Sequence, residues 1–253
     1  MLYKTGSFQG KIGLLVTKKF LSVTKSGVTR RHLLIGAGAC AAGALSARHI
    51  AAQPAGPVPL DRYQRVYFNA QEWAFIMAAV ARLIPSDGYG PGAIEARVPV
   101  FIDRQMITPW ARGEDWYHQA PFNYDAPHYT GYQGRYSPAE AYRIAIPAID
   151  KWAQENYGDI FARLSADKQD AVLEQVQKDG VPIDELRSGD FFSFLWQNTK
   201  EGYFADPKYG GNYDMIAWVY IGFPGARASF LEWVDKDNVR YRLGPVSIDG
   251  QRA

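Results

Sequence analysis

The sequence predicts an all-α fold, a single compact helical domain with long aromatic, Pro/Gly-rich loops, preceded by a leader. Apolar residues recur at helical spacing in several stretches after residue 66, and Asn or Ser residues of the kind that begin helices precede some of them. No convincing run of alternating apolar and polar residues predicts a strand. We divide the chain into a leader at 1–52, a linker at 53–65 and a helical domain at 66–253.

The leader carries all the excess positive charge. It holds eight of the 28 Lys and Arg residues and no Asp or Glu, so 20 basic residues remain against 26 acidic ones in 53–253. Residues 53–253 therefore have a net charge of about −6, so no net electrostatic attraction favours their binding to nucleic acid. Cys40, the only cysteine, lies in the leader, so the chain without its leader could form no disulfide and no thiolate metal site.

A pair of arginines followed by leucines predicts a twin-arginine export signal. The residues of this pattern are Arg30, Arg31, Leu33 and Leu34. A weakly hydrophobic Gly/Ala-rich run follows, so the leader is either cleaved near Ala47 or Ala52 or kept as a membrane anchor. The competing interpretation is a dinucleotide cradle, because residues 36–41 fit Gly-x-Gly-x-x-Ala, but no second strand and no suitably placed acidic residue follow them.

Five helices are predicted in the body. The first begins at Asn69, which with Glu72 resembles a capping box, and ends before Pro85. The other four are expected at 94–106, 137–157, 165–178 and 189–202. Pro147 should kink the helix at 137–157, because proline cannot donate a backbone hydrogen bond.

The stretch at 107–136 is rich in Pro, Gly, Tyr and Trp and has no steady period. An irregular loop of this length is uncommon in a compact domain and is usually functional. Its His118 and His128 could act as a metal pair or a base in a stand-alone enzyme or metal-binding protein, but no third ligand is in register with them. No nucleophile, base and orienting group come together elsewhere, so we predict no catalytic, cofactor-binding or metal residue.

A second unusual stretch lies at 199–228. Its Asp-Pro-x-Tyr-Gly-Gly-Asn motif at 206–212 contains two glycines, which permit backbone conformations that other residues rarely adopt. The stretch either closes the core or forms a docking surface for another protein. We predict a docking surface shared with the loop 107–136, because aromatic residues and Arg dominate interface energetics. The predicted contact residues are Trp110, Trp116, Tyr209, Trp218, Phe223 and Arg227.

This stretch, together with residues 68–106, resembles the gluconate 2-dehydrogenase subunit 3 family, and the similarity runs from about Val66 to Phe230. The markers are Leu83-Ile84-Pro85-x-Asp87, Pro91-Gly92-Ala93, Phe101-Ile102-Asp103, Glu201-Gly202, Asp206-Pro207-x-Tyr209-Gly210-Gly211-Asn212 and Gly222-Phe223-Pro224-Gly225-Ala226-Arg227.

The resemblance implies a non-catalytic small (gamma) subunit of a membrane-bound flavoprotein dehydrogenase that oxidises gluconate or a related sugar or sugar acid. In such a complex the large subunit carries FAD, and a multihaem c-type cytochrome with haem c passes electrons to quinone. This chain would itself hold no cofactor. Its twin-arginine signal would take the folded FAD subunit through the Tat export machinery, so the expected location is periplasmic, at the outer face of the inner membrane.

Overall fold

Six α-helices build the part of the chain that the computed structural model describes, residues 58–116, 118–123 and 126–253. Their bounds are α1 Ala70–Leu83, α2 Val98–Gln105, α3 Pro138–Tyr157, α4 Ala166–Gln177, α5 Ser188–Phe204 and α6 Ile216–Ile221. Isolated β-bridges occur within these ranges, but no strand forms there. The helices belong to one compact unit, and the all-α prediction is confirmed.

Reciprocal capping boxes begin α1 and α3. The Asn69 side chain accepts hydrogen bonds from the backbone N–H groups of Gln71 (2.9 Å) and Glu72 (3.0 Å), and the Glu72 carboxylate accepts one from the Asn69 N–H (2.9 Å). Ser137 and Glu140 make the same arrangement at α3. Each cap satisfies N–H groups that have no partner within the helix and contributes about 1 kcal/mol. The predicted start of each helix is therefore confirmed.

The start of α2 differs from the prediction. A helix was expected from Ile94, but residues 93–97 form a separate turn and α2 begins at Val98. The cause is Arg97, whose φ of 57° places it in the left-handed region and interrupts any helix entering from the turn. Pro147, where a kink was expected, lies inside α3, which continues through it as one element. No periodicity predicts α6, which has only six residues.

α5 lies at the centre of the helical packing, because it contacts each of the other five helices. Its Phe191 and Leu195 are fully buried. The Phe191 ring lies 6.3 Å from that of Phe75 in α1 and 5.2 Å from that of Tyr142 in α3, measured between ring centroids. Burying each such side chain contributes about 1.5–3 kcal/mol, so α5 is a stable support for the segments at its ends.

Asp103 joins α2 to the segment that precedes α1. Its side chain is fully buried. One carboxylate oxygen accepts hydrogen bonds from the Tyr63 hydroxyl (3.0 Å) and the Val66 N–H (2.7 Å), and the other accepts from the N–H groups of Tyr67 (3.0 Å) and Phe68 (2.9 Å). Four donors compensate the carboxylate for the water that it loses on burial.

Candidate subunit interface

The Asp-Pro-x-Tyr-Gly-Gly-Asn motif forms a turn that is held at its first residue by Asp206. This side chain is nearly buried. One of its oxygens accepts a hydrogen bond from the Lys208 N–H (3.2 Å), which stabilises the turn, and the other accepts from the Ile248 N–H (2.6 Å). Asp206 therefore connects the turn to residues 241–253, which we name the C-terminal segment.

Gly211 lets the same turn lie directly against the end of α5. A Cβ atom at this position would be 2.0 Å from the carbonyl oxygen of Gly202, which is far inside van der Waals contact. The fully buried Asn212 donates to the Ala205 carbonyl and accepts from the Ala217 N–H, each at 2.9 Å. The motif thus joins the C-terminal end of α5 to the beginning of α6.

α6 is anchored to the body by Trp218. Its indole N–H donates to the carbonyl oxygen of Phe204 (2.8 Å), and its ring stands edge-on to Phe223 at a centroid distance of 5.0 Å. Only 6% of this residue is exposed. Trp218, a predicted contact residue, is therefore covered almost entirely by its own chain.

Four apolar residues in and just after α6 remain exposed. We name them the α6 ridge and define it as Val219, Tyr220, Ile221 and Phe223. The first three are exposed by 54%, 53% and 53%, and Phe223 by 44%. Exposed apolar residues gathered in one short stretch often mark an interaction site. Among these four, only Phe223 is a predicted contact residue. The other three belong to the unbroken apolar run 216–221, and this run is the sequence feature that could have indicated them.

Two tyrosines, Tyr220 of the α6 ridge and Tyr203 of α5, contact the loop at residues 90–91. The Tyr220 ring covers Gly90, where an added Cβ would lie 2.7 Å from a ring carbon. The hydroxyl of Tyr203 in α5 donates to the Pro91 carbonyl at 2.5 Å and so fixes the same loop. Burial raises the pKa of Tyr203, and nearby Tyr220 and Glu95 act in the same direction, so the hydroxyl stays protonated as a donor at neutral pH.

The predicted contact residues of the loop 107–136 pack against each other and against α5. Trp110 and Trp116 are both half-buried, with ring centroids 6.0 Å apart. The Trp116 ring also lies 6.0 Å from Phe194 of α5, and Tyr132 lies 4.9 Å from Phe194. These rings fasten the loop to α5.

The last two predicted contact residues differ in exposure. Tyr209 is 51% exposed in the motif turn. Arg227 is half-buried, donates a hydrogen bond to the carbonyl oxygen of Gly244, and lies 5.6 Å from the Tyr241 ring centroid. Tyr209 is accessible to a partner, whereas Arg227 already contacts the C-terminal segment.

The loop histidines do not form a described metal site. His118 is half-buried, with Nε2 3.0 Å from the Gly134 carbonyl oxygen and its ring 5.3 Å from that of Phe122. His128 belongs to a short turn, His128–Thr130, and its side chain lies outside the described part. In the ranges that the structure describes, no three His, Cys, Asp or Glu side chains are grouped so that they could hold a metal ion.

The predicted export signal lies outside the described residues. This applies to Arg30, Arg31, Leu33 and Leu34 and to the two predicted cleavage positions. Among the helices that are described, none combines the length and the apolar character needed to cross a membrane.

A family model described as gluconate 2-dehydrogenase subunit 3 matches residues 70–225, more than half of the chain. The chain belongs to this family. It is accordingly an accessory subunit of a dehydrogenase complex. The family match includes all six helices, the motif turn and the α6 ridge. Neither a search of curated proteins nor a search of solved structures finds a match.

Proposed function

We propose that this member of the gluconate 2-dehydrogenase subunit 3 family is the non-catalytic small subunit of a periplasmic, membrane-bound flavoprotein dehydrogenase. In this proposal the α6 ridge docks on the large subunit, which carries FAD. The complex oxidises gluconate or a related sugar or sugar acid, and a multihaem c-type cytochrome accepts the electrons. The observation that supports docking is the exposed α6 ridge, which lies within the family match on a firmly anchored helix.

The α6 ridge suits docking because its underlying helix is already ordered. Trp218 and Asn212 hold the helix through hydrogen bonds to the body, so the ridge loses little conformational freedom when a partner covers it. Completely burying an aliphatic or aromatic side chain contributes about 1.5–3 kcal/mol, and these side chains still expose roughly half of their surface. Covering them can therefore stabilise a complex by several kcal/mol.

A capture experiment tests this surface. The full chain carrying Tyr220→Asp and Ile221→Asp is co-expressed with the large subunit and purified through a tag on the small subunit. We expect capture to fall by about thirtyfold or more. The substitutions remove apolar contacts at the interface, and burying the new unpaired carboxylates there is costly. The matched control is Val234→Asp, which alters a side chain of 68% exposure outside the family match and outside both predicted contact stretches. Capture by the ridge variant at the wild-type level would contradict the proposal.

The proposed small subunit also exports its partner. The twin-arginine pair would direct the chain and the bound large subunit together to the periplasm. Changing Arg30 and Arg31 to Lys should leave both proteins in the cytoplasm on cell fractionation, whereas Lys18→Arg with Lys19→Arg should not. If the large subunit still reaches the periplasm when the arginine pair is changed, it does not travel as a passenger of this chain.

The absence of catalysis in the isolated chain is a separate test. The full chain, purified alone, should neither oxidise sugar acids with an artificial electron acceptor nor show bound flavin absorbance. Turnover or flavin binding would favour a stand-alone enzyme, and His118 would then be the first residue to substitute.

A further inference from the structure

Two arginines line a cleft of about 240 Å³ beside the motif turn. They are Arg97, just before α2, and Arg104, near the end of α2. Gly210 and Tyr213 also line it. No acidic side chain is among the residues that line this cleft, all of which the structure describes.

The positive charge in the cleft has no anionic partner among the described residues. Neither Arg97 nor Arg104 has a carboxylate within ion-pair distance there. Arg97 donates instead to the Val58 carbonyl oxygen (2.7 Å) and lies 5.8 Å from the Tyr213 ring centroid. Burial lowers the pKa of Arg97, and the charge of Arg104 adds to this effect. Two cations that share a partly buried cleft repel each other, and a bound anion would relieve that repulsion.

The acidic neighbour in the sequence forms no ion pair with either arginine. Asp103 precedes Arg104 directly, but its carboxylate accepts the four hydrogen bonds from the 63–68 segment. Its hydrogen bonds all go to that segment, and its carboxylate is not within ion-pair distance of either guanidinium group.

The glycine of the motif leaves room for Arg104. Gly210 has a φ of 102°, and an added Cβ would lie 3.1 Å from both Cδ and Nη1 of Arg104. A larger residue would therefore be strained and would also press on the guanidinium group. The motif turn thus leaves the Arg104 side of the cleft open.

We infer that this cleft binds an oxyanion group, a carboxylate or a phosphate, between the guanidinium groups of Arg97 and Arg104. Guanidinium presents a planar fork of donors that matches both groups. The cleft volume suits one such group and part of its parent molecule. The group is supplied either by a free anion or by an acidic side chain of the large subunit, and the second source rests on the proposed function.

Calorimetric titration tests the free-anion source. The full chain is titrated with sodium gluconate and, separately, with inorganic phosphate, with sodium chloride as the control for ionic strength. Where either anion binds, Arg97→Gln and Arg104→Gln should each weaken binding about tenfold or more, because each removes charged hydrogen bonds. Arg163→Gln is the matched control, since Arg163 is 72% exposed, lies outside the cleft and pairs with Asp159 only at 3.8 Å.

Capture of the large subunit tests the second source. If neither free anion binds, Arg97→Gln and Arg104→Gln should still reduce capture about tenfold or more while Arg163→Gln does not. Unchanged capture together with no anion binding overturns the inference. If the wild-type chain captures no large subunit, the docking proposal fails and the titration alone decides the anion site. If a thermal melt of a Gln variant shows no cooperative unfolding transition, the corresponding Lys variant, Arg97→Lys or Arg104→Lys, replaces it. Lysine keeps the positive charge but lacks the planar fork of guanidinium donors.

Discussion

At the level of single residues, Asp103 shows how one buried carboxylate can position a whole segment. Its four hydrogen bonds hold residues 63–68 against α2, and they place Tyr67 and Phe68 just ahead of the α1 cap. From the sequence alone, Asp103 is a polar residue that interrupts the apolar face of a predicted helix. Its role depends on donors more than 30 positions away in the chain, and no local pattern predicts them.

Asp103→Asn should lower the free energy of unfolding by about 2–3 kcal/mol, because an amide NH₂ would face backbone donors and leave some of them unsatisfied. Urea denaturation of the full chain measures this change. Asp235→Asn, at an exposed position, is the control and should stay within about 0.5 kcal/mol of wild type. A similar small effect at Asp103 would mean that the segment is held by its apolar contacts instead.

Asp150 gives a pH dependence at the same scale. It is buried on α3, accepting hydrogen bonds from the Gln71 side chain (2.8 Å) and the Phe161 N–H (3.0 Å). Burial raises its pKa above the ordinary value of 3.8, against the opposing effect of these two hydrogen bonds. Because the folded-state pKa is the higher one, the protonated form contributes stability that is full below 3.8 and is lost as pH rises through the raised pKa.

The neutral Asp150→Asn variant should therefore gain on wild type as pH rises. We expect the difference in free energy of unfolding, variant minus wild type, to increase between about pH 3 and about pH 7. Urea denaturation at several pH values measures it. A difference that shrinks over this range would show that the hydrogen bonds to the carboxylate outweigh its burial.

At the level of elements, the motif turn lies directly against α5 and leads into α6. Gly211→Ala places a Cβ against the Gly202 carbonyl oxygen, so the turn must move away from α5. We expect a loss of about 2 kcal/mol or more in the free energy of unfolding, the cost typical of overpacking against a rigid neighbour. Gly244→Ala is the control, because its Cβ would meet only the carbonyl oxygen of the C-terminal Ala253, at 3.1 Å. An equal effect of the two substitutions would remove the special role of Gly211.

Elements with strong local signals could be predicted from the sequence. Capping residues and apolar periodicity locate α1 and α3 because caps and helical faces are local properties. The start of α2 could not be predicted, since the left-handed Arg97 follows a turn whose Ala93 N–H bonds to the Ile84 carbonyl (2.8 Å). The α6 ridge is exposed because Trp218 turns inward to Phe204, a contact that no short sequence window contains.

At the level of the whole molecule, the C-terminal segment braces the candidate interface from outside the family match. The Ala226 N–H donates to the Val246 carbonyl (2.7 Å), and the Val246 N–H donates to the Pro224 carbonyl (3.3 Å). The Ile248 N–H reaches the carboxylate of Asp206. The end of the chain thereby returns to both sides of α6, at the motif turn and at the residues that follow the α6 ridge.

Deleting residues 246–253 should therefore loosen α6 while leaving the helical core in place. The three hydrogen bonds that join these residues to the motif turn and to 224–226 are lost, at about 1 kcal/mol each, and Asp206 keeps only its bond within the turn. We expect amide hydrogen exchange to accelerate across 206–223 and to stay unchanged in α1 and α3, since local opening follows local contacts. Deleting Ala253 alone is the control. If exchange in 206–223 is the same in both deletions, the region of the family match holds α6 in place without help from the segment that follows it.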